Sequence, residues 1–206
     1  MKIMLDCSPA KINEYRERYN YDFWQLRTPL TAYARAEGIP YGLDNGCFSK
    51  FERSTWERLL REAETDAPVF VTLPDIVGSA QRTKELFNHF RYLVPDLPIA
   101  LVLQDGIENV EIEWNYLDAI FIGGSDAFKI SNEAFAAAKT AKMLNKWIHV
   151  GRVNTASRVL QWIDYADSID GSGISRYDHM LEDVMNAIAK KIPQMKFELN
   201  EEVNHE

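Results

Sequence analysis

The chain has 206 residues, 46% hydrophobic and 26% charged, with a formal net charge of −8. That composition suits one globular domain with a sizeable core, and the excess of acid argues against non-specific nucleic-acid binding by the whole surface. No apolar run nears the ~20 residues of a membrane span, and no signal-peptide pattern is read at the N-terminus. Cys7 and Cys47 stand far apart and outside any CxxC, which disfavours a disulfide scaffold or a cysteine zinc site and fits a reducing, cytoplasmic setting.

Residues 2–6 read as a strand ending in Asp6, and Ser8 or Pro9 starts a helix through Tyr15 and Arg18. The aromatic stretch 19–27 reads as irregular, and Pro29 opens a second helix that Gly38 closes. A strand at 39–43 runs into Asp44-Asn-Gly-Cys-Phe48. Ser54 and Glu57 form a capping box ahead of a helical stripe of Trp56, Leu59, Leu60 and Ala63. A strand at 68–73 ends at Pro74-Asp75, a helix at 79–93 turns Leu86, Phe87 and Phe90 inward, and a strand at 98–103 ends at Gln104-Asp105-Gly106. A short acidic helix or turn covers 107–116, the strand 119–122 ends at Gly123-Gly124, and alanine-rich 132–144 is helical by propensity.

The stretch 147–173 is the clearest unit. Its strand, with Lys146 in front, is broken by Gly151; Thr155 caps a helix on Val159, Leu160 and Ile163; and 167–170 returns as a strand ending in Asp170. Gly171 and Gly173 are expected to leave Asp170 open to a ligand. An amphipathic helix over 178–191 follows, on Met180, Leu181, Val184, Met185 and Ile188.

Apolar strands alternating with helices predict an α/β fold with a buried parallel sheet. Seven strands terminate in Asp6, Asp44, Asp75, Gln104, Gly123, Gly151 and Asp170, and a closed (β/α) barrel gathers all such termini at one mouth. The expected architecture is a compact TIM-type barrel over 1–193 with trimmed helices and its active site at the C-terminal strand ends; an open doubly wound sheet is the alternative. Residues 194–206 are expected to form a flexible acidic tail.

Asp44, Asp75 and Asp170 are the acids of interest. Any one alone reads as a turn former, but three converging on one mouth suit glycosidic chemistry, where one carboxylate attacks the anomeric carbon and another moves a proton. Gln104 has the donor and acceptor needed to read a heterocycle's edge. His149 reads as a satisfied strand histidine, and Cys47 lacks a partner histidine. Arg152 and Arg176 lie near the mouth as candidate phosphate contacts, whereas Arg158 reads as a solvated helix charge. No spacing suggests a metal or cofactor.

The ordered series Asp44-Asn-Gly-Cys-Phe48, Pro74-Asp75-Ile76, Leu103-Gln-Asp-Gly106, Ile122-Gly-Gly124, His149-Val-Gly-Arg-Val153 and Asp167-Ser-Ile-Asp-Gly171 resembles the queuine/guanine tRNA-ribosyltransferase (tRNA-guanine transglycosylase) superfamily. It is most similar to the family's short phage and bacterial relatives that insert 7-deazaguanines into DNA. The resemblance implies Asp170 as nucleophile, Asp44 as general acid/base and Phe48 as the base-stacking aromatic. Asp75, Gln104, Gly123 and Gly124 would contact the base; Gly151, at its strand end, and Arg152 are counted with the substrate site from their place at the predicted mouth. The implied partners are guanine-containing DNA and a free 7-deazaguanine; the implied cellular site is the cytoplasm, the host's if the chain is phage-encoded. A protein partner or homodimer stays open. Asn45 and Cys47 depart from the family motif, and the zinc-binding cysteine cluster of the tRNA enzymes is missing. Competing readings are an N-glycoside hydrolase or transferase working on nucleosides and a barrel that binds a base or nucleic acid without turnover.

Overall fold

The computed structural model describes the backbone of residues 1–203 and the side chains of 1–191. The acidic tail expected over 194–206 therefore lies outside the residues described with side chains. Eight strands form the barrel: β1 (Lys2–Leu5), β2 (Trp24–Arg27), β3 (Tyr41–Leu43), β4 (Phe70–Thr72), β5 (Ile99–Leu103), β6 (Ala119–Ile122), β7 (Trp147–Val150) and β8 (Ser168–Asp170). Each pairs in parallel with its neighbours in chain order, and β8 closes on β1 with Ile3 opposite Ile169 and Met4 opposite Asp170. This is a closed eight-stranded (β/α) barrel, and the open sheet is excluded.

Strand alternation decides which side chains go where. Ile3, Leu5, Val71, Leu101, Ile120, Ile148 and Ile169 face outward into one core with the helices, while Met4, Leu26, Phe70, Ala100 and Ala119 fill the barrel interior. Both faces are apolar, as a fully covered sheet requires. Gly42 is dictated by this filling: a Cβ there would stand 2.5 Å from the Phe70 ring. Trp24 stacks on Trp147 with ring centroids 5.6 Å apart and adds to the interior packing.

The helices are α1 (Pro9–Tyr19), α2 (Arg53–Ala63), α3 (Ala80–Phe90), α4 (Asn132–Met143), α5 (Ala156–Trp162), α6 (Ser172–Arg176) and α7 (Asp178–Val203). Ser8, Ser79, Ser131 and Thr155 cap α1, α3, α4 and α5 through their hydroxyls. Between β5 and β6 the crossover shrinks to two 3-10 turns, Ile107–Asn109 and Trp114–Tyr116. Trimmed connections of this kind let 206 residues close a fold that commonly takes ~250.

Four local expectations fail. Residues 24–27 are a strand, not irregular, and no helix follows Pro29. Gln25 and Arg27 project outward from β2 beneath the next loop and are buried there. Gln25 donates to Ala34 O (2.8 Å) and accepts from Ala36 N (2.9 Å), and Arg27 reaches Tyr33 O and Glu62. These side chains hold the backbone of 33–36 in an open course, and Ala32 sits at φ 47°. The capping box is unused: α2 starts two residues early, with Glu52 at its N-cap and no side-chain cap bond. On α5 the inward anchor beside Val159 is Trp162, stacked on Phe135, while Leu160 is exposed.

Candidate active site

The inward parity of the strands continues past their ends. Gly42 leads to Asp44, Val102 to Gln104, Phe121 to Gly123, His149 to Gly151 and Ser168 to Asp170, each two residues on. A cavity of about 70 Å³ at this mouth is lined by Asp44, Phe48, Asp75, Gln104, Gly123, Gly124, Gly151, Arg152 and Asp170, together with Asn45 and Lys129. Nine of the ten expected site residues thus meet in one place. Arg176 does not line the cavity; it is exposed on α6, where its charge acts on Asp6. Asp6, at the end of β1, turns to Thr31 instead (2.5 Å).

Asp170 is oriented from below. His149, fully buried on β7, places Nε2 3.0 Å from Asp170 Oδ1 and Nδ1 2.8 Å from Ser168 Oγ. The Trp147 indole N–H donates to that same oxygen (2.8 Å). An ionised carboxylate only accepts, so the nitrogen facing it, Nε2, is the one that carries a hydrogen, and Nδ1 of the neutral ring is left to accept from the Ser168 hydroxyl. Arg152 N adds a weaker donor to Oδ1 at 3.3 Å. All these bonds fall on Oδ1, and Oδ2 has no hydrogen-bond partner among the described residues. His149 is a satisfied strand histidine, as expected, and it also positions the acid.

Asp44 has the opposite environment. Burial, then the nearby charges of Asp170 and Asp75, push its carboxyl up to about 7. The backbone N–H groups of Gly46 and Asn45 oppose this weakly, and Gly46 N and Thr72 Oγ1 each lie 3.3 Å from a carboxylate oxygen. Two carboxyl groups in one cavity are therefore held differently, one hydrogen-bonded and one protonated near neutrality. Such a division of environments is one that can suit two carboxyl groups to different chemical tasks.

Asp75 sits in a third environment. Asn45 Nδ2 (2.9 Å) and Gln104 Nε2 (2.5 Å) each donate to one of its oxygens, and Gln104 accepts from Gly78 N. Burial raises the Asp75 pKa and these donors lower it, leaving it above its ordinary value. Asn45 also donates to Leu73 O and accepts from Cys47 N, so the residue that departs from the family motif braces the β3 and β4 loops. Burial pushes the Cys47 thiol up to about 12, the wrong direction for a nucleophile.

Phe48 is 58% exposed at the rim, and the Arg152 guanidinium lies 3.9 Å from its ring centroid while donating to Gly124 O. The glycines do more than clear the approach for a ligand. The space of a Gly151 side chain is taken by Phe121, and that of Gly124 by Phe128. Gly171 and Gly173 yield to Asn154, which accepts from Gly173 N and Ile174 N and so caps α6 from the β7 loop. The openness expected of that pair is filled by protein.

Lys129 was not legible as a site residue. It lies in a 3-10 turn, Phe128–Ile130, after β6, is fully buried, and its Nζ has no hydrogen-bond partner among the described residues. Burial, then the Arg152 charge, push its pKa down to about 8. Among the described residues no group of three His, Cys, Asp or Glu could hold a metal ion, and no helix is long and apolar enough to cross a membrane. A larger open groove of about 810 Å³ runs between α5 and α7, away from the acids.

Fold and site together define a (β/α) barrel with three acids and a buried amine at the C-terminal ends of its strands. The sequence matches no protein-family profile and no curated protein. Solved structures do match in shape. CdNal from Clostridium difficile, solved in complex with mannosamine, has a TM-score of 0.55 at 11% identity, covering all of this chain and 79% of that one. The native KDPGal structure gives 0.51 at 13% identity over 94% and 93% of the two chains. A flavocytochrome b2 mutant gives 0.50 at 13% identity over 95% and 63%. These likenesses establish the barrel fold.

Proposed function

We propose that the chain is a base-exchanging glycosyltransferase that replaces guanine in DNA with a 7-deazaguanine through an aspartyl-glycosyl intermediate. The observation that carries this reading is the pairing of Asp170, hydrogen-bonded through one oxygen only, with Asp44, whose carboxyl stays protonated to about neutral pH. The ordered motif series at the strand ends supports the same reaction.

In the first step Asp170 Oδ2 bonds to C1′ as the C1′–N9 bond breaks; the electron pair leaves with guanine, and Asp44 supplies its proton. In the second step the incoming base loses its N9 proton to Asp44 while N9 bonds to C1′ and Asp170 departs as carboxylate. Asp44 ends as it began, so the cycle balances. Asp75 and Gln104 offer an acceptor and a donor–acceptor amide to the polar edge of the base, and Phe48 offers a stacking face. A base in duplex DNA must be flipped to reach this cavity, and exposed Phe48 and Val77 at the rim are suited to receive it. A nucleoside-level N-glycoside hydrolase or transferase is the second reading. The net charge of −8 favours it, because a single nucleoside needs no basic groove.

The test is covalent trapping. Guanine-containing DNA without an incoming base should yield a protein–DNA adduct on a denaturing gel, mapped to Asp170 by mass spectrometry and lost in Asp170→Asn. An adduct at another residue, or cleavage of a free nucleoside alone, would overturn the proposal.

A further inference from the structure

The mechanism above uses every charged group lining the cavity except Lys129 and Arg152, and Arg152 is engaged with Gly124 O and Phe48. Lys129 is different. Its side chain is fully buried, it lines the cavity, and its Nζ has no partner. Its backbone leaves it little freedom to move. Lys129 N donates to Ser125 O (3.1 Å), Lys129 O accepts from the Trp162 indole (3.1 Å), and Phe128 beside it packs against Gly124. Asp105 fastens the start of the turn by accepting from both Ser125 N and Ser125 Oγ.

An ammonium held dry with three unmet donors is costly unless a ligand meets it. Resting on the proposed reaction, the position of that ligand group can be deduced from the walls of the cavity. With the glycosidic nitrogen at Asp170 and Asp44, and the N1 and 2-amino edge at Asp75 and Gln104, the edge carrying O6 and the 7-substituent is left for the wall made by the β6 loop. Lys129 stands in that wall. We infer that Lys129 selects the incoming base: a 7-deazaguanine whose 7-substituent accepts hydrogen bonds or is anionic, such as a nitrile or carboxylate, and not one bearing a cationic aminomethyl group. A second cation at that position would face the ammonium across a water-poor cavity. The Lys129 pKa, pushed down to about 8, still leaves most of the population charged at neutral pH.

The test is calorimetric binding of three free bases, the 7-cyano, 7-carboxy and 7-aminomethyl deazaguanines, to the full chain and to Lys129→Met. Methionine is of similar length and apolar, so it suits the buried site. The wild type should bind the cyano and carboxy bases about 10-fold or more tighter than the aminomethyl base, the scale of one charge-assisted hydrogen bond, and Lys129→Met should erase that order. Should the variant fail to fold, the wild-type ranking still decides. An aminomethyl base bound as tightly as the others by the wild type, or an order unchanged by Lys129→Met, would overturn the inference. Binding is read without turnover, so the two proposals separate. The predicted ranking with no base exchange would sink only the reaction, and exchange that prefers the aminomethyl base would sink only the role of Lys129.

Discussion

Replacing Asp44 by Asn should stabilise the fold at alkaline pH while abolishing turnover. The carboxyl is raised from 3.8 to about 7, chiefly by burial. At 1.36 kcal/mol per pH unit, the folded chain spends about 4 kcal/mol to carry the ionised form. The sign follows from the direction of the shift. Between about pH 4 and pH 7 the folded state keeps a proton that the unfolded chain has released, so stability falls as pH rises through that window. About 2–3 kcal/mol of the loss accrues between about pH 5 and pH 8. An amide has no such titration, although its nitrogen opposes the Gly46 N–H that now donates to Oδ2 at 3.3 Å, which costs back about 1 kcal/mol. The net gain at about pH 8 is therefore on the order of 1–2 kcal/mol once Asp44's partial exposure at the mouth is counted. Urea unfolding of both proteins at the two pH values reads this directly. Parallel pH dependences for wild type and Asp44→Asn would refute the assignment of Asp44 as the elevated acid.

Other perturbations test the supporting parts. His149→Phe keeps a ring and removes the N–H that donates to Asp170; turnover should fall by on the order of 10-fold or more with the circular dichroism spectrum unchanged, and unaltered kcat would remove His149 from the account. Gly42→Ala puts a Cβ 2.5 Å from the Phe70 ring, and that overpacking should lower stability by about 1–3 kcal/mol in denaturant titration; an unchanged midpoint would show that the ring is free to move. Phe48→Ala should raise KM for the base-bearing substrate by about 5- to 100-fold, the range of one base–aromatic stack, with a smaller change in kcat. A KM close to wild type would mean that the base does not stack there.

The barrel was legible because alternation, strand-end acids and short connections all pointed the same way. The six motifs land at the ends of consecutive strands from β3 to β8, and the inward parity of each strand accounts for Asp44, Gln104, Gly123, Gly151 and Asp170. What escaped was structure whose reason lies elsewhere in the chain. β2 carries Gln25 and Arg27, polar residues that look solvated in sequence and are buried only because the following loop folds over them. That capture also removed the helix expected after Pro29. Lys129 escaped for a similar cause: a lysine between Phe128 and Ile130 reads as an exposed turn residue, and it is buried only where the fold seats that turn at the barrel mouth beside Trp162 of α5. The bonds of His149 run to Ser168 and Asp170 on the neighbouring strand β8, a relation that periodicity along one strand does not reveal. Arg176 failed in the other direction, because α6 turns it out of the cavity.

The most direct measurement of the central claim is release of labelled guanine from DNA in the presence and absence of an incoming 7-cyano-7-deazaguanine, for wild type and Asp170→Asn. Release should require the incoming base, with one base incorporated per guanine lost, and should be absent from Asp170→Asn. Release that continues without any incoming base, or that survives Asp170→Asn, would contradict that claim.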